Sequence, residues 1–419
     1  MTDVWTPPRP KPVSWRVEYY AYRGMEFAIG LLPGGFAARM GAALGAMGYH
    51  FLSKRRQTVL RNLRIAFAGE KTMAEIHELA REVFRRTGAN LVASLHTATI
   101  DRAGLAEAME VVGLEKFQAA VREGHGVVAV LAHMGNWEAM AQQFPFLIPE
   151  GFKGATVYRP LNNPLLNARV EATRARAGTA LFSKKDSPLA MMAFLREGGA
   201  LGLLSDQRAG NTGELIPFMG RLTSCTPLPS IFARRTHARV LGVSITTLKP
   251  GRWRLAFHEL KGEPTTVGCM ALLEEIIRTS PADVFWLQER WRTGRRNPLL
   301  LEGKPSRDSS APVATKYRRV LVWLDPVPAA EPALPPSEQP DIVYEFMVPS
   351  PTLRPEWVAA DARLHVRGSG DYAEALRKAD EAETLPLDVV LLTRENTELM
   401  RACQRVGIRG FLCKPTATP

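Results

Sequence analysis

Three features of the sequence predict an α/β fold with a helical N-terminal region and a small C-terminal α/β domain. From about Glu110, short apolar runs alternate with amphipathic segments, the pattern of a sheet with helices on both faces. Before that point, apolar positions recur at mixed three- and four-residue spacing, as in "MAEIHELAREVFRRTGANLVASL". Near the other end, "GKPSRDSSAPVAT" at Gly303–Thr315 reads as a linker by its Pro, Ser and Ala content. The expected organisation is a disordered N-terminus over 1–14, a membrane-associating helical region over 15–105, an α/β core over 106–302, a linker over 303–315 and a terminal domain over 316–419.

Each part follows from its residues. Tyr19 to Leu52 is rich in apolar and small side chains but is broken by Arg23, Pro33-Gly34-Gly35 and Arg39. Its cleanest apolar run, Phe27 to Ala38, falls short of the roughly 20 residues that cross a bilayer. It reads as a segment lying in the membrane interface, where Lys54-Arg55-Arg56 add attraction to anionic lipid, or as an ordinary buried helical hairpin. In the core, Gly126–Ala132, Gly154–Tyr158, Ala200–Ser205 and Arg239–Thr247 read as strands. Leu114–Glu123, Trp137–Phe144, Pro164–Ala177 and Pro188–Glu197 read as the helices between them. The proline-rich "PVPAAEPALPPSEQPD" beyond the linker reads as loop or disorder.

Composition narrows the classes of function. A chain of 419 residues, 46% hydrophobic and 23% charged, is neither a disordered protein nor a membrane bundle. Its formal net charge of +12 suits an anionic partner such as lipid headgroups, an acidic protein or nucleic acid. Cys225, Cys269, Cys403 and Cys413 have neither CxxC spacing nor paired clustering, which excludes the usual zinc patterns and fits a reducing compartment. "MTDVWTPPRPKPVSWR" lacks the apolar core of a signal peptide, so a cytosolic location is expected.

There is no GxSxG elbow, Walker A loop or HExxH, and "GHG" at Gly124 precedes a strand instead of opening a helix after one. What stands out is "VAVLAHMGNWEAM", an apolar run ending at His133 with Glu138 five residues on. On a continuous helix five residues turn through about 500°, so the two side chains can meet only across a turn. Gly135-Asn136 permits one. An imidazole fixed by a carboxylate is a general base, with His133 taking the proton and Glu138 orienting the ring. Asn136 and the backbone N–H groups after it are candidates to stabilise an oxyanion.

"LAHMGNWE" resembles the signature of the bacterial lipid A biosynthesis (lauroyl/myristoyl) acyltransferase family. "YRPLNNPLLN" from Tyr158, "RARAG" from Arg174, "LLSDQRAG" from Leu203, "PFMGR" from Pro217 and "FWLQERWRTGRRNP" from Phe285 fall in the family's order. The likeness covers roughly Tyr19 to Pro298. It implies a glycerolphosphate acyltransferase-like fold with a central mixed sheet flanked by helices. It further implies transfer of a fatty acyl chain from an acyl-thioester, on acyl carrier protein or CoA, to a glycolipid hydroxyl at the cytosolic face of the inner membrane. No metal or other cofactor is expected. The resemblance makes His133 the base and Glu138 its partner, and it assigns Arg159 to a phosphate or headgroup, a task suited to a guanidinium fork. Asp206 and Gln207 end a strand and read either as lining the carboxyl-end crevice or as capping a turn, with Arg174 and Arg221 read as further substrate contacts or as arginines solvating a face. Gln288 departs from the histidine many members carry, and the "FPEGTR" block of glycerolphosphate acyltransferases is missing. The alternatives are a non-catalytic lipid- or nucleic-acid-binding protein on the same fold, or a thioesterase using water. Against nucleic acid, the arginines are scattered and not interleaved with aromatics in a known module.

The C-terminal "RRVLVWLD", "LDVVLLT" and "ACQRVGIRGFLCKP" look like pieces of a response-regulator receiver. Asp325 stands without a second acid and Thr393 occupies the acceptor position, which implies a degenerate, unphosphorylated domain used for contacts or regulation. An unrelated α/β appendage is the alternative.

Overall fold

The computed structural model describes residues 12–123, 126–147, 152–294, 296–308, 313–332, 334, 341–368 and 370–413. Helices α1 (Pro12–Gly30), α2 (Gly34–Phe51), α3 (Ser53–Ala66) and α4 (Met73–Thr97) come first. Then follow α5 (Arg102–Ala108), β1 (Met109–Val112), α6 (Leu114–Arg122), β2 (Val127–Leu131), α7 (Trp137–Leu147), β3 (Gly154–Tyr158), α8 (Pro164–Ala175), β4 (Ala180–Ser183), α9 (Pro188–Arg196) and β5 (Ala200–Leu204). A hairpin of β6 (Glu214–Phe218) and β7 (Arg221–Cys225) precedes α10 (Leu228–Thr236), β8 (Arg239–Lys249), β9 (Arg252–Glu259) and α11 (Thr266–Thr279). The short β10 (Lys304–Pro305) leads to β11 (Arg318–Trp323), β12 (Ile342–Val348), β13 (Arg363–Val366), α12 (Tyr372–Glu381), β14 (Leu387–Leu392), α13 (Thr397–Val406) and β15 (Arg409–Leu412).

These elements form two compact units, the first drawn from 1–51, 81–206 and 227–285, the second from 52–80, 207–226 and 286–419. In the first, seven strands are ordered β1-β9-β8-β2-β5-β3-β4, parallel except for the β8/β9 pair, so the sheet is mixed. Every residue of β2, Val-Val-Ala-Val-Leu, is buried, as a strand covered on both faces requires. Val127, Ala129 and Leu131 pack with Phe117, Ala139, Phe144 and Phe257. Val128 and Val130 point to the opposite face, where α10 and α11 lie against the strand. The flanking helices start where the sequence supplies a cap: Asn163 before Pro164 for α8, and Ser187 before Pro188 for α9.

The segment from Tyr19 to Leu52 becomes α1 and α2, parted at Leu31–Pro33. Val13, Val17, Tyr20, Phe27 and Leu31 are all exposed and recur at alternating four- and three-residue steps, with Gly24 filling the gap in the series. Phe36, Leu44, Met47 and Phe51 make a second exposed stripe on α2. Only Glu26 and Ile29 of α1 are buried, so these helices are not an ordinary buried hairpin. Among the described residues no helix is long and apolar enough to cross a membrane. The inner side of α2 is built for close contact, because a Cβ on Gly41 or Gly45 would stand 2.3 Å and 2.1 Å from the carbonyl oxygens of Gly88 and Phe84 on α4.

The second unit holds a five-stranded parallel sheet ordered β13-β12-β11-β14-β15. Receivers carry the order 2-1-3-4-5; numbered along this domain the order here is 3-2-1-4-5, with β13 outside β12. Leu321, Trp323 and Val390 pack with α12 and α13 residues such as Leu376 and Leu399, while Val320, Val322 and Leu391 pack on the other face with Leu299 and Val358. Arg319 and Glu345 are fully buried and paired at 2.6 Å. Burial raises the Glu345 pKa, but hydrogen bonds from His365 and Arg319 outweigh it and bring the carboxyl down to about 2. Of the expected linker, Lys304–Pro305 pairs with β6 and 309–312 lie outside the described residues. So do 1–11 of the N-terminal stretch read as disorder, whereas Pro12–Ser14 open α1, and so do Gly124 and, in the proline-rich run, 333 and 335–340.

Candidate active site

Strand register brings the site together. β2 and β5 are parallel neighbours with Leu131 opposite Leu204, so two residues past each strand His133 and Asp206 emerge side by side. Ser205 N donates to the Leu131 carbonyl (2.9 Å), carrying the ladder one step beyond the strands. His133 Nδ1 lies 2.8 Å from Asp206 Oδ1, with the two side chains 20% and 9% exposed. A carboxylate only accepts hydrogen bonds, so Nδ1 carries the proton and Nε2 holds the basic lone pair.

Glu138 was the expected partner of the imidazole; the nitrogen's hydrogen bond is instead with Asp206. Glu138 sits in the first turn of α7, which packs against α8, and there it meets Arg174 in a two-pronged ion pair of 2.8 and 3.0 Å from Nη2 and 3.2 Å from Nε. Glu138 reaches His133 through its charge. Burial is the largest influence on the His133 pKa and lowers it; the Asp206 charge and hydrogen bond, with Glu138 behind them, overcome this and leave the pKa raised. Arg174 also stands over the Tyr158 ring at 5.9 Å. Burial and the Glu171 carboxylate that accepts the Tyr158 hydroxyl push that phenol up to about 12.

The turn between His133 and α7 depends on Gly135, whose φ is +54° and whose absent Cβ would lie 2.2 Å from the Ile245 carbonyl oxygen. Asn136 is 1% exposed; its carbonyl oxygen accepts from Ala139 N (3.1 Å) and its amide donates to Thr97 Oγ1 (3.3 Å). It is therefore the cap of α7, correcting the oxyanion role expected of it. Trp137 meets the His133 ring edge-on at 5.6 Å and packs on Phe285 at 5.6 Å.

A strap at residues 283–285 holds the backbone of this turn: Gly135 N donates to the Asp283 carbonyl (2.9 Å) and Phe285 N to the His133 carbonyl (2.7 Å). The strap is anchored by the buried Asp283 carboxylate, which accepts from Arg86 (2.8 Å), Thr247 N (2.9 Å), Thr247 Oγ1 (2.5 Å) and Ser280 (2.7 Å). Sequence reasoning missed Asp283. Its only signal was an acid standing directly before the "VFW" run, with Arg86 and Thr247 197 and 36 residues away.

The other expected contacts divide. Arg159 is exposed one residue past β3, which pairs with β5 in the sheet that carries His133 and Asp206. Gln207 falls in the second unit. Arg221 does not line a crevice: it opens β7, the edge strand of the β10-β6-β7 sheet, and is fully buried in the second unit, paired with Asp388. Trp286 and Trp291 are buried at 4% exposure each, as packing residues.

The chain is similar in sequence to one family of proteins. The family profile described as "Bacterial lipid A biosynthesis acyltransferase" covers residues 8–293. The "Lipid A biosynthesis lauroyltransferase" of Escherichia coli (strain K12) is 25% identical over 302 residues, covering 68% of this chain and 92% of that protein. The "Lipid A biosynthesis acyltransferase" of Haemophilus influenzae (strain ATCC 51907 / DSM 11121 / KW20 / Rd) is 22% identical over 293 residues, covering 68% of this chain and 89% of that protein.

Proposed function

The chain belongs to the bacterial lipid A biosynthesis acyltransferase family and is an acyltransferase, and from that premise we propose that it moves a fatty acyl chain from an acyl-thioester to a hydroxyl of a lipid A precursor or related glycolipid, with His133 as general base. The observation that carries this reading is the 2.8 Å contact of His133 with Asp206 at the carboxyl ends of adjacent central strands. Nε2 of His133 takes the proton of the acceptor hydroxyl as its oxygen attacks the thioester carbonyl. The C–O bond forms, the C–S bond breaks, and the proton passes from the imidazolium to the leaving thiolate. Asp206 holds the tautomer and stabilises the imidazolium. No acyl-enzyme is formed. Glu138 and Arg174 brace the second side of the site, and Arg159 meets acceptor phosphate.

Acyl carrier protein is the favoured donor, since a formal charge of +12 complements an acidic carrier, with acyl-CoA as the other source of the thioester. The exposed stripes of α1 and α2 seat the enzyme peripherally on the inner membrane, their apolar side chains entering the headgroup boundary.

The test incubates purified protein with acyl carrier thioester or acyl-CoA and a lipid A precursor, and reads the glycolipid mass. Gain of one acyl chain, abolished in His133→Ala, is expected. Release of free fatty acid without glycolipid product, or transfer undiminished in that variant, would overturn the reading. Phe27→Glu with Val17→Glu is expected to lose co-sedimentation with anionic vesicles while retaining turnover of detergent-dispersed acceptor.

A further inference from the structure

In the second unit, a cavity of about 340 Å³ is bounded by α3, the start of α4, α12 and the end of α13. Arg56, Arg61, Arg64, Arg377 and Arg405 line it, against only two carboxylates, Asp380 and Glu381. Asp380 is already engaged by Arg64, and Arg61 is held by Asp388 at 2.6 Å. Arg377 and Arg405 are exposed and make no ion pair among the described residues. The remaining wall sets an apolar patch of Leu60, Pro386 and Ile408 beside the polar Gln57 and His77.

Hydrogen bonds join the elements that wall the cavity. Gln57 donates to the Arg405 carbonyl at 2.9 Å, and Arg64 donates to the Thr384, Asp380 and Glu383 carbonyls at 3.0, 2.8 and 3.0 Å. Such preorganisation lowers the ordering cost of binding. The volume lies at the small end of the roughly 300–1,000 Å³ range of small-molecule sites. Guanidinium forks match phosphate oxygens in pairs, and the apolar wall suits a flat or aliphatic body.

We propose that this cavity binds a phosphorylated small molecule of mononucleotide size, its phosphates on Arg377 and Arg405 and its apolar body against Leu60, Pro386 and Ile408. Every residue lining this cavity belongs to the second unit, whereas His133, Glu138, Arg159, Arg174 and Asp206 belong to the first.

Isothermal titration of the full chain with ATP and with inorganic pyrophosphate, without added metal, tests it. ATP is expected to bind more tightly than pyrophosphate, and R377E/R405E to weaken ATP by about tenfold or more. R394E, an exposed arginine outside the cavity, is expected to bind ATP as the parent does. R377Q removes one charge without reversing it and gives an intermediate loss even where the double variant fails to fold. Absence of ATP binding at millimolar concentration, pyrophosphate binding as tight as ATP, or unchanged affinity in R377Q and R377E/R405E would each overturn the proposal.

Discussion

β2 in the first unit and β14 in the second are both apolar, buried and central to parallel pairing, yet they carry their charges at opposite ends. Past the carboxyl end of β2, His133 faces Asp206 with part of each side chain open to solvent. Near the amino end of β14, Asp388 is sealed at 3% side-chain exposure, clasped by Arg61 and by the fully buried Arg221, and accepts from Arg319 N at 3.2 Å. Past β14's own carboxyl end stands Thr393, a neutral hydroxyl donating to the Trp323 carbonyl at 3.3 Å. Parallel sheets offer a crevice at their carboxyl ends, and His133 with Asp206 is a titratable pair left accessible there. An acid enclosed by arginines is a staple.

The sharpest way to break this contrast is to remove one charge from each sheet. His133→Ala is expected to lower turnover by about a thousandfold, equivalent to about 4 kcal/mol, because it removes the proposed base. Its unfolding midpoint should stay near the parent's, since the Phe285 N–H still finds the same carbonyl. Asp388→Asn should do the reverse. Leaving Arg221 buried without its counter-charge is expected to cost about 3 kcal/mol in denaturant unfolding, with the acid limb of the rate profile unmoved. If Asp388→Asn instead shifted the limb, the division of labour between the two sheets would be wrong.

The contrast also separates what the sequence made legible from what it did not. β2, β3, β5 and β8 were readable because each is an apolar run closed by polar or turn residues, and α8 and α9 because Asn163-Pro164 and Ser187-Pro188 announce their starts. β9 was missed. Its buried Trp253, Leu255 and Phe257 alternate with exposed or half-buried residues in the antiparallel partner of β8, so charged side chains flank an apolar run of only three. His133 was legible from its place at a strand end. Its partner was not, because sequence proximity favoured Glu138 while the partner is set by strand order: β5 lies beside β2, bringing Asp206 across 73 residues. Arg221 looked like a binding residue for want of any local sign that Asp388, 167 residues away, buries it.

Asp206→Asn is the next largest effect expected, about a hundredfold in turnover, because the ring loses the group that fixes its tautomer and stabilises its charge. The sign of the accompanying pH change follows from the pKa. The base works when neutral, and the folded protein raises the His133 pKa, so the acid limb should lie above the ordinary imidazole value of about 6.5. Deleting the Asp206 charge removes the main raising influence, and the limb should move to lower pH.

Glu138 and Arg174 provide the finest test, since they act on the same imidazole with opposite signs. Glu138→Gln should lower the limb by less than Asp206→Asn does, because Glu138 contributes charge without the Nδ1 hydrogen bond. Arg174→Met should raise it slightly. The double variant removes both members of one ion pair and should return the limb close to the parent's position, whatever it does to the rate. A limb that moves further in Glu138→Gln than in Asp206→Asn would make Glu138 the ring's true partner in the working enzyme and would place the 2.8 Å contact with Asp206 outside the catalytic cycle.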